Sequence, residues 1–190
     1  MKNGNDATAR LVAAFEASSI DYLLVGSYSS NFYGIPRSTK DADFVAVLGD
    51  KIGEVQKFLG PEFIWDAQPS FETVTGTFRE KVSAPTLPFD IEIFHLSKDP
   101  HDQSRFQRRR RVNDTSIGCD IWIPSPEDVI IMKLRWAKLA KRDKDREDVR
   151  DVIAVQGDEA LDWPYIHRWC AEHGTRTLLD DIRASIPPLD

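Results

Sequence analysis

Chain freedom is narrowest across one stretch. Four apolar residues, Tyr22-Leu23-Leu24-Val25, stop at Gly26-Ser27, and 13 residues later a second apolar run opens on two acids, Asp41-Ala42-Asp43-Phe44. Short apolar runs bounded by turn residues read as buried strands. Ser27 to Tyr33, closed by Gly34 and Pro36, reads as the helix between them. Side chains two apart in a strand share a face, so Asp41 and Asp43 project together where the second strand begins. A strand–turn–helix–strand unit with paired carboxylates at one sheet end is therefore the seed of the fold.

The rest of the chain allows that seed to grow into an α+β domain. At 190 residues and 41% apolar, it can bury a core without disulfide or metal staples. Cys119 and Cys170 lie far apart and outside any C-x-x-C pair, and read as reduced thiols of a cytoplasmic protein. The N-terminus lacks a secretory h-region, and no apolar run approaches the ~18 residues of a membrane span. A soluble protein with no membrane partner is expected. The net charge of −6 is uneven: residues 105–150 carry 13 Lys and Arg against 8 Asp and Glu. That suits either a basic surface facing phosphate or ordinary solvated helix faces.

Periodicity predicts a helix over 6–18, strands over 22–25 and 42–48, and a helix over 50–59. Antiparallel strands follow between Phe63 and Val82, with Phe71 to Phe78 (FETVTGTF) the clearest, and then a strictly alternating strand over 89–96. A helix is expected over 101–110 and a short strand over 120–123. At Ser125-Pro126-Glu127-Asp128 the pattern changes to a helix opening, with Ser at N-cap, Pro at N1 and acids in the first turn. Helices over 129–139, 148–155, 164–172 and 177–186 complete the chain. The expected organisation is a mixed, mostly antiparallel sheet flanked by helices over residues 1–124, with a helical subdomain over 125–190 packed on it.

Two carboxylates held close repel one another unless a cation or a shared proton intervenes. Hard oxygen ligands of this kind suit Mg²⁺, which keeps several waters and accepts substrate phosphates as further ligands. Gly26 lets a ligand approach the backbone, Ser27 adds a hydroxyl, and the following helix offers free N–H groups to phosphate. Arg37 places a cation just before the acid pair. Each part alone is commonplace, since a Gly-Ser is usually a turn and an Asp-x-Asp usually surface; the combination at this interval is not.

The combination Gly26-Ser27, then Gly34-x-Pro36-Arg37-x-Thr39-x-Asp41-x-Asp43, resembles the signature of the polymerase-β-like nucleotidyltransferase superfamily. Its minimal prokaryotic branch, with the AbiEii-type toxins, is the nearest in pattern. Met132-Lys133-Leu134 followed by Lys144-Asp145-Arg146-Glu147-Asp148 matches the later helices of that branch. The resemblance spans about residues 20–155. It implies transfer of a nucleoside monophosphate from an NTP to an acceptor hydroxyl with pyrophosphate release, assisted by two Mg²⁺ ions about 3.5–4 Å apart, with Mn²⁺ as a substitute. By the same resemblance, Gly26, Ser27, Arg37, Thr39, Lys133 and Asp148 contact the nucleotide, and Asp41 and Asp43 hold metal. A third carboxylate comes from a later strand: Asp90 or Glu92, which share a face. Asp90 is preferred because the family acid commonly leads an apolar-acid-apolar run; an exposed strand face is the alternative.

The resemblance further implies a tRNA or protein acceptor and a cognate antitoxin, as in a toxin–antitoxin pair. A small-molecule acceptor of the aminoglycoside kind, or a non-catalytic nucleotide-binding or antitoxin module, are the alternatives. Lys133, on a mostly apolar helix, needs an anion, which phosphate or Asp148 can supply, unless it snorkels to solvent. Asp145 and Asp148 suit a structural pairing with Lys133 or Arg37 as well as a catalytic one. Arg105 and Arg108 to Arg111 read either as a nucleic-acid contact on a helix or as a solvated face. The four histidines lack metal-ligand spacing, and Trp122, Trp136, Trp163 and Trp169 fit core positions.

Overall fold

Capping residues start half of the α-helices where the sequence supplies them. The computed structural model describes residues 1–187. Asn3 caps α1 (Gly4–Ala17), Asp99 caps α4 (Pro100–Gln107), Ser125 caps α5 (Pro126–Ala140) and Asp162 caps α7 (Trp163–His173). In each case the side-chain oxygen accepts from a backbone N–H of the first turn, one of the groups an open helix end leaves unpaired. The remaining helices are α2 (Gly26–Tyr33), α3 (Ile52–Leu59), α6 (Asp143–Gln156) and α8 (Arg176–Ala184).

The main sheet contains β1 (Tyr22–Val25), β2 (Asp41–Ala46), β3 (Ile64–Trp65), β4 (Ser70–Glu72), β5 (Thr77–Ser83) and β6 (Asp90–His95). Its order is β1-β2-β6-β5-β3, with β4 also on β5, and every pairing is antiparallel except β2 with β6. A separate hairpin joins β7 (Arg110–Asp114) to β8 (Cys119–Ile123). The fold is thus α+β with a mostly antiparallel sheet, as the sequence predicts.

Strand alternation sorts the two faces. Tyr22, Leu24, Ala42, Phe44, Val82, Ile91 and Ile93 point into one core with Leu11 and Phe15 of α1 and Val55 and Leu59 of α3. That core continues through Ile130, Leu134, Val149, Ile166 and Ile182, so it crosses residue 125 without a break. The opposite face carries a small apolar group, Leu23, Val25, Val45 and Phe94, covered by Phe106 of α4. Beyond this cover, at the N-terminal ends of β2 and β6, the same face is acidic. Among the described residues no helix is long and apolar enough to cross a membrane. Cys119 and Cys170 are free thiols.

Three local expectations are corrected. The helix over 101–110 ends at Gln107, and Arg110 and Arg111 instead enter β7. The cause is downstream: the Asp114 carboxylate accepts from the N–H groups of Ser116 and Ile117, folding a turn that pairs β7 with β8. The run from Phe71 to Phe78 is a hairpin, not one strand. Glu72 accepts from the N–H groups of Val74 and Thr75 and turns the chain there. Helix α6 starts at Asp143, five residues ahead of expectation, directly after Lys141 ends α5 in a left-handed conformation.

Candidate active site

The bend after β1 decides where the site lies. Gly26 has φ +63°, and a Cβ there would overlap the carboxylate of Asp43, which stands opposite Val25 in the ladder. Only glycine meets both demands without strain. Val25 provides no side-chain cap for α2, so the first N–H groups of that helix open beside Asp43.

Around this point lies a cleft of about 250 Å³. Its polar floor is Gly26, Ser29, Asp41, Asp43 and Glu92. The parallel register sets Asp41 beside Asp90 and Asp43 beside Glu92. The structure brings Glu92 into the cleft and leaves Asp90 outside its lining. Asp90 sits one rung nearer the sheet end, with its side chain 47% exposed, and pairs with Lys81 at 3.0 Å. Asp90 and Glu92 share a face, as the alternation predicts, and Glu92 is the one on the rung level with Asp43.

One wall is a single face of α5. Val129, Met132, Lys133 and Trp136 fall at helical spacing and all line the cleft. Trp136, which its spacing assigns to the core, is half-buried here and lies under the Arg142 guanidinium at 5.3 Å. Arg79, Arg105, Arg142, Glu72, Thr75, Asp128 and Asp145 also line the cleft, and only tertiary folding brings them there. Among the lining residues that the sequence does not assign to the site, Trp136 carries a signal in its spacing, three residues after Lys133 on one helix face.

Lys133 is buried and held. Its Nζ lies 2.9 Å from Asp145 Oδ1 and 2.6 Å from Asp148 Oδ2. Asp148 is gripped from the other side by Arg37, whose Nε and Nη2 donate to its two oxygens at 2.9 and 3.0 Å. Arg37 Nη2 also donates to Ser27 Oγ at 3.1 Å, so Ser27, Arg37 and Asp148 form a network behind the cleft, outside its lining. Thr39 stands outside too, and its hydroxyl donates to Asp41 Oδ1 at 2.8 Å. Burial alone would raise the Asp148 carboxyl, but the hydrogen bond from Arg37 and the charge of Lys133 outweigh it and hold it low.

Asp43 shows the opposite balance. Burial, then the charges of Asp41 and Glu92, push its carboxyl up to about 7, against the weaker pull of Lys133 and Arg142. The cations nearby are already engaged: Lys133 by Asp145 and Asp148, Arg142 by Asp145, Arg79 by Glu92. A crowd of carboxylates with one kept partly protonated is the donor chemistry a hard divalent cation would satisfy. Among the described residues no three acidic, histidine or cysteine side chains close around one point. Water and substrate oxygens would have to complete any coordination sphere.

The arginine run is dispersed. Arg108 reaches Asp128 and Glu127 and lies 4.0 Å over Tyr165, while Arg109 pairs with Asp21 at 2.6 Å and lies over Phe106. Arg111 faces Asp120. No shared cationic face results, because the helix ends before the run does. Of the histidines, His101 is fully buried against Asp128 and His95 meets Glu80.

The sheet order, the bend at Gly26 and the acid pair on β2 together make this a nucleotidyltransferase fold. It is shared with the antibiotic-resistance factor ANT(2'')-Ia, whose solution structure superposes with TM-score 0.59 at 13% identity, over 95% of this chain and 96% of that one. The crystal structure of ANT(2'')-Ia in complex with adenylyl-2''-tobramycin gives 0.58 at 13% identity, over 91% and 98%. An antigenic nucleotidyltransferase-like protein from Paracoccidioides brasiliensis gives 0.54 at 20% identity, over 97% and 94%. No protein-family model matches the sequence, and no curated protein matches it.

Proposed function

We propose that this protein is a metal-dependent nucleotidyltransferase that moves a nucleoside monophosphate from an NTP to an acceptor hydroxyl. One observation carries the reading: Asp41, Asp43 and Glu92 line one cleft beside the open N-terminus of α2, where burial and then the charges of its acidic neighbours push the Asp43 carboxyl up to about 7. Asp41, Asp43 and Glu92 would hold two Mg²⁺ ions, or Mn²⁺ in their place. Bound divalent ions supply charge neutralisation for the attacking and leaving oxygens of an in-line displacement.

The chain's own groups do the rest. The N–H groups at the start of α2 receive phosphate oxygens, and Lys133 and Arg142 add positive charge along the wall. Arg37, Ser27 and Asp148 position Lys133, and Thr39 orients Asp41. The acceptor oxygen bonds to the α-phosphorus as the bond from that phosphorus to the bridging oxygen breaks, and pyrophosphate leaves. The hydroxyl proton passes to the Glu92 carboxylate.

For the acceptor, a tRNA or a protein hydroxyl fits the toxin-like sequence pattern, with the cytoplasm as the setting and a cognate antitoxin as partner. A second reading rests on a specific observation. Glu72 and Asp128 extend the acidic lining, whereas the arginine run offers no free cationic face. A small cationic acceptor of the aminoglycoside kind suits that cleft better than a polyanion. α-³²P-labelled NTPs with Mg²⁺ test both. Label should pass to RNA or protein in a lysate, or to an aminoglycoside, and Asp41→Ala should abolish it. An NTP–Mg²⁺ mixture at 100 times its Kd should also stabilise the fold by about 2.7 kcal/mol. No transfer to any acceptor and no thermal stabilisation would refute the assignment.

A further inference from the structure

The third carboxylate of the cleft is not free. Arg79 on β5 donates from Nη1 to Glu92 Oε2 at 3.0 Å and from Nε to Ser70 Oγ at 3.1 Å. One rung along, Lys81 pairs with Asp90. Strand β5 thus places a cation on each acid of β6, while the cations facing β2 are engaged on α6. The two neutralised acids differ in consequence. Asp90 lies outside the cleft, so Lys81 blocks nothing. Glu92 and Arg79 both line it, so their bond occupies a carboxylate that a divalent cation would need.

Resting on the nucleotidyltransferase reading, we propose that Arg79 is an exchange residue. It holds Glu92 in the free protein, yields it to a divalent cation, and then binds the triphosphate with its released guanidinium. Three features support this. The pair is partly exposed, at 32% and 25%, and partly exposed ion pairs are weak enough to exchange. The guanidinium lies 6.0 Å from the Phe94 ring, an apolar surface along which it can pivot without losing its whole environment. An arginine that loses its carboxylate inside a cleft keeps a planar fork of donors, which matches phosphate oxygens in pairs. Metal and Arg79 would therefore compete for Glu92 in the absence of nucleotide. NTP would reverse the sign, because the released arginine gains a new anion.

The test separates the two halves. Mn²⁺ alone is titrated and its free concentration read by electron paramagnetic resonance; Mn²⁺ with a non-hydrolysable NTP is titrated by calorimetry. Arg79→Gln should bind Mn²⁺ alone about two- to five-fold more tightly, the range expected when an exposed ion pair stops competing. The same variant should bind the Mn²⁺–NTP analogue roughly ten-fold more weakly, the loss expected for one charge-assisted contact. Arg79→Lys should stay near wild type toward Mn²⁺ alone and fall between the two toward the analogue, and its retained charge keeps the test open if the glutamine variant melts early. In a Glu92→Gln background, Arg79→Gln should leave binding of Mn²⁺ alone unchanged. If Arg79→Gln leaves Mn²⁺ binding equal or weaker, or leaves the analogue unaffected, the exchange is wrong while the functional reading stands. A wild type that takes up neither Mn²⁺ nor the analogue overturns both.

Discussion

Gly26 and Asp43 are a matched pair, since the carboxylate occupies the space a side chain at 26 would need. Gly26→Ala should therefore cost stability twice, through the positive φ and through displacement of Asp43. The backbone part is about 1–2 kcal/mol, and the displaced acid should lower nucleotidyl transfer well beyond what the melting temperature explains. Thermal melting and steady-state kinetics on one preparation separate the two. Asp43→Asn should act in the opposite direction on stability. The folded carboxyl titrates near 7, above the 3.8 of an ordinary aspartate, so the folded state binds the proton more tightly than the unfolded one. Stability then falls as pH rises from about 4 to 7, and the whole deficit is present above 7. Asparagine carries no charge, so the variant should melt higher than wild type at pH 8, converge with it near pH 4, and lose activity. Equal melting at pH 8 would show that Asp43 is not crowded by its neighbours.

Helices α2, α5 and α6 meet at one buried ion network: Arg37 follows α2, Lys133 lies on α5, and Asp145 and Asp148 lie on α6. Breaking a buried pair by removing one partner typically costs about 3–5 kcal/mol, because the other charge stays behind unpaired. Asp148→Asn removes the carboxylate of Arg37 and leaves Lys133 with Asp145 alone, at nearly unchanged volume. With two to four degrees per kcal/mol for a chain of this size, the melting temperature should fall by about 6–20 °C. Lys133→Met together with Asp148→Asn should cost less than the sum of the single changes, which a double-mutant cycle would read as coupling. An additive result would mean that the three helices are joined by apolar packing alone.

For the molecule as a whole, one acid-sensitive contact lies where α7 meets α4. Burial, then the nearby charges of Arg135 and His101, push His173 down to about 4, and burial also lowers His101. The two rings lie 5.3 Å apart, with Trp169 packed at a tilt against both. A depressed folded value means that the unfolded chain takes the proton first. With the opposing Asp43 titration removed by Asp43→Asn, stability should be constant above 6.5 and fall as pH drops from 6.5 toward 4. His173→Gln should flatten that limb of a melting-temperature profile without moving the plateau at pH 8. A profile of the Asp43→Asn protein that is level between 4.5 and 6.5 would contradict this.

Much of this architecture is legible in the chain because its causes are local. The strand at Tyr22–Val25, the bend at Gly26, the Asp41/Asp43 pair and the cap at Ser125 each follow from spacing and residue chemistry within a few positions. The turn at Asp114 was equally local, but four adjacent arginines masked the strand before it. The sheet register was not local. Asp90 and Glu92 are indistinguishable by alternation, and only the parallel pairing of β6 with β2 sets Glu92 level with Asp43. Likewise Trp136 reads as core until α5 turns that face toward the sheet, and Arg37 reads as a substrate contact or as the partner of an acid of α6 until Asp148, 111 residues away, claims it. The sequence by itself determined which residues share a strand face or a helix stripe, since backbone periodicity is intrinsic. Which of those faces meet, and so which charges neutralise one another and which stay unpaired in the cleft, was decided by long-range packing of the shared core.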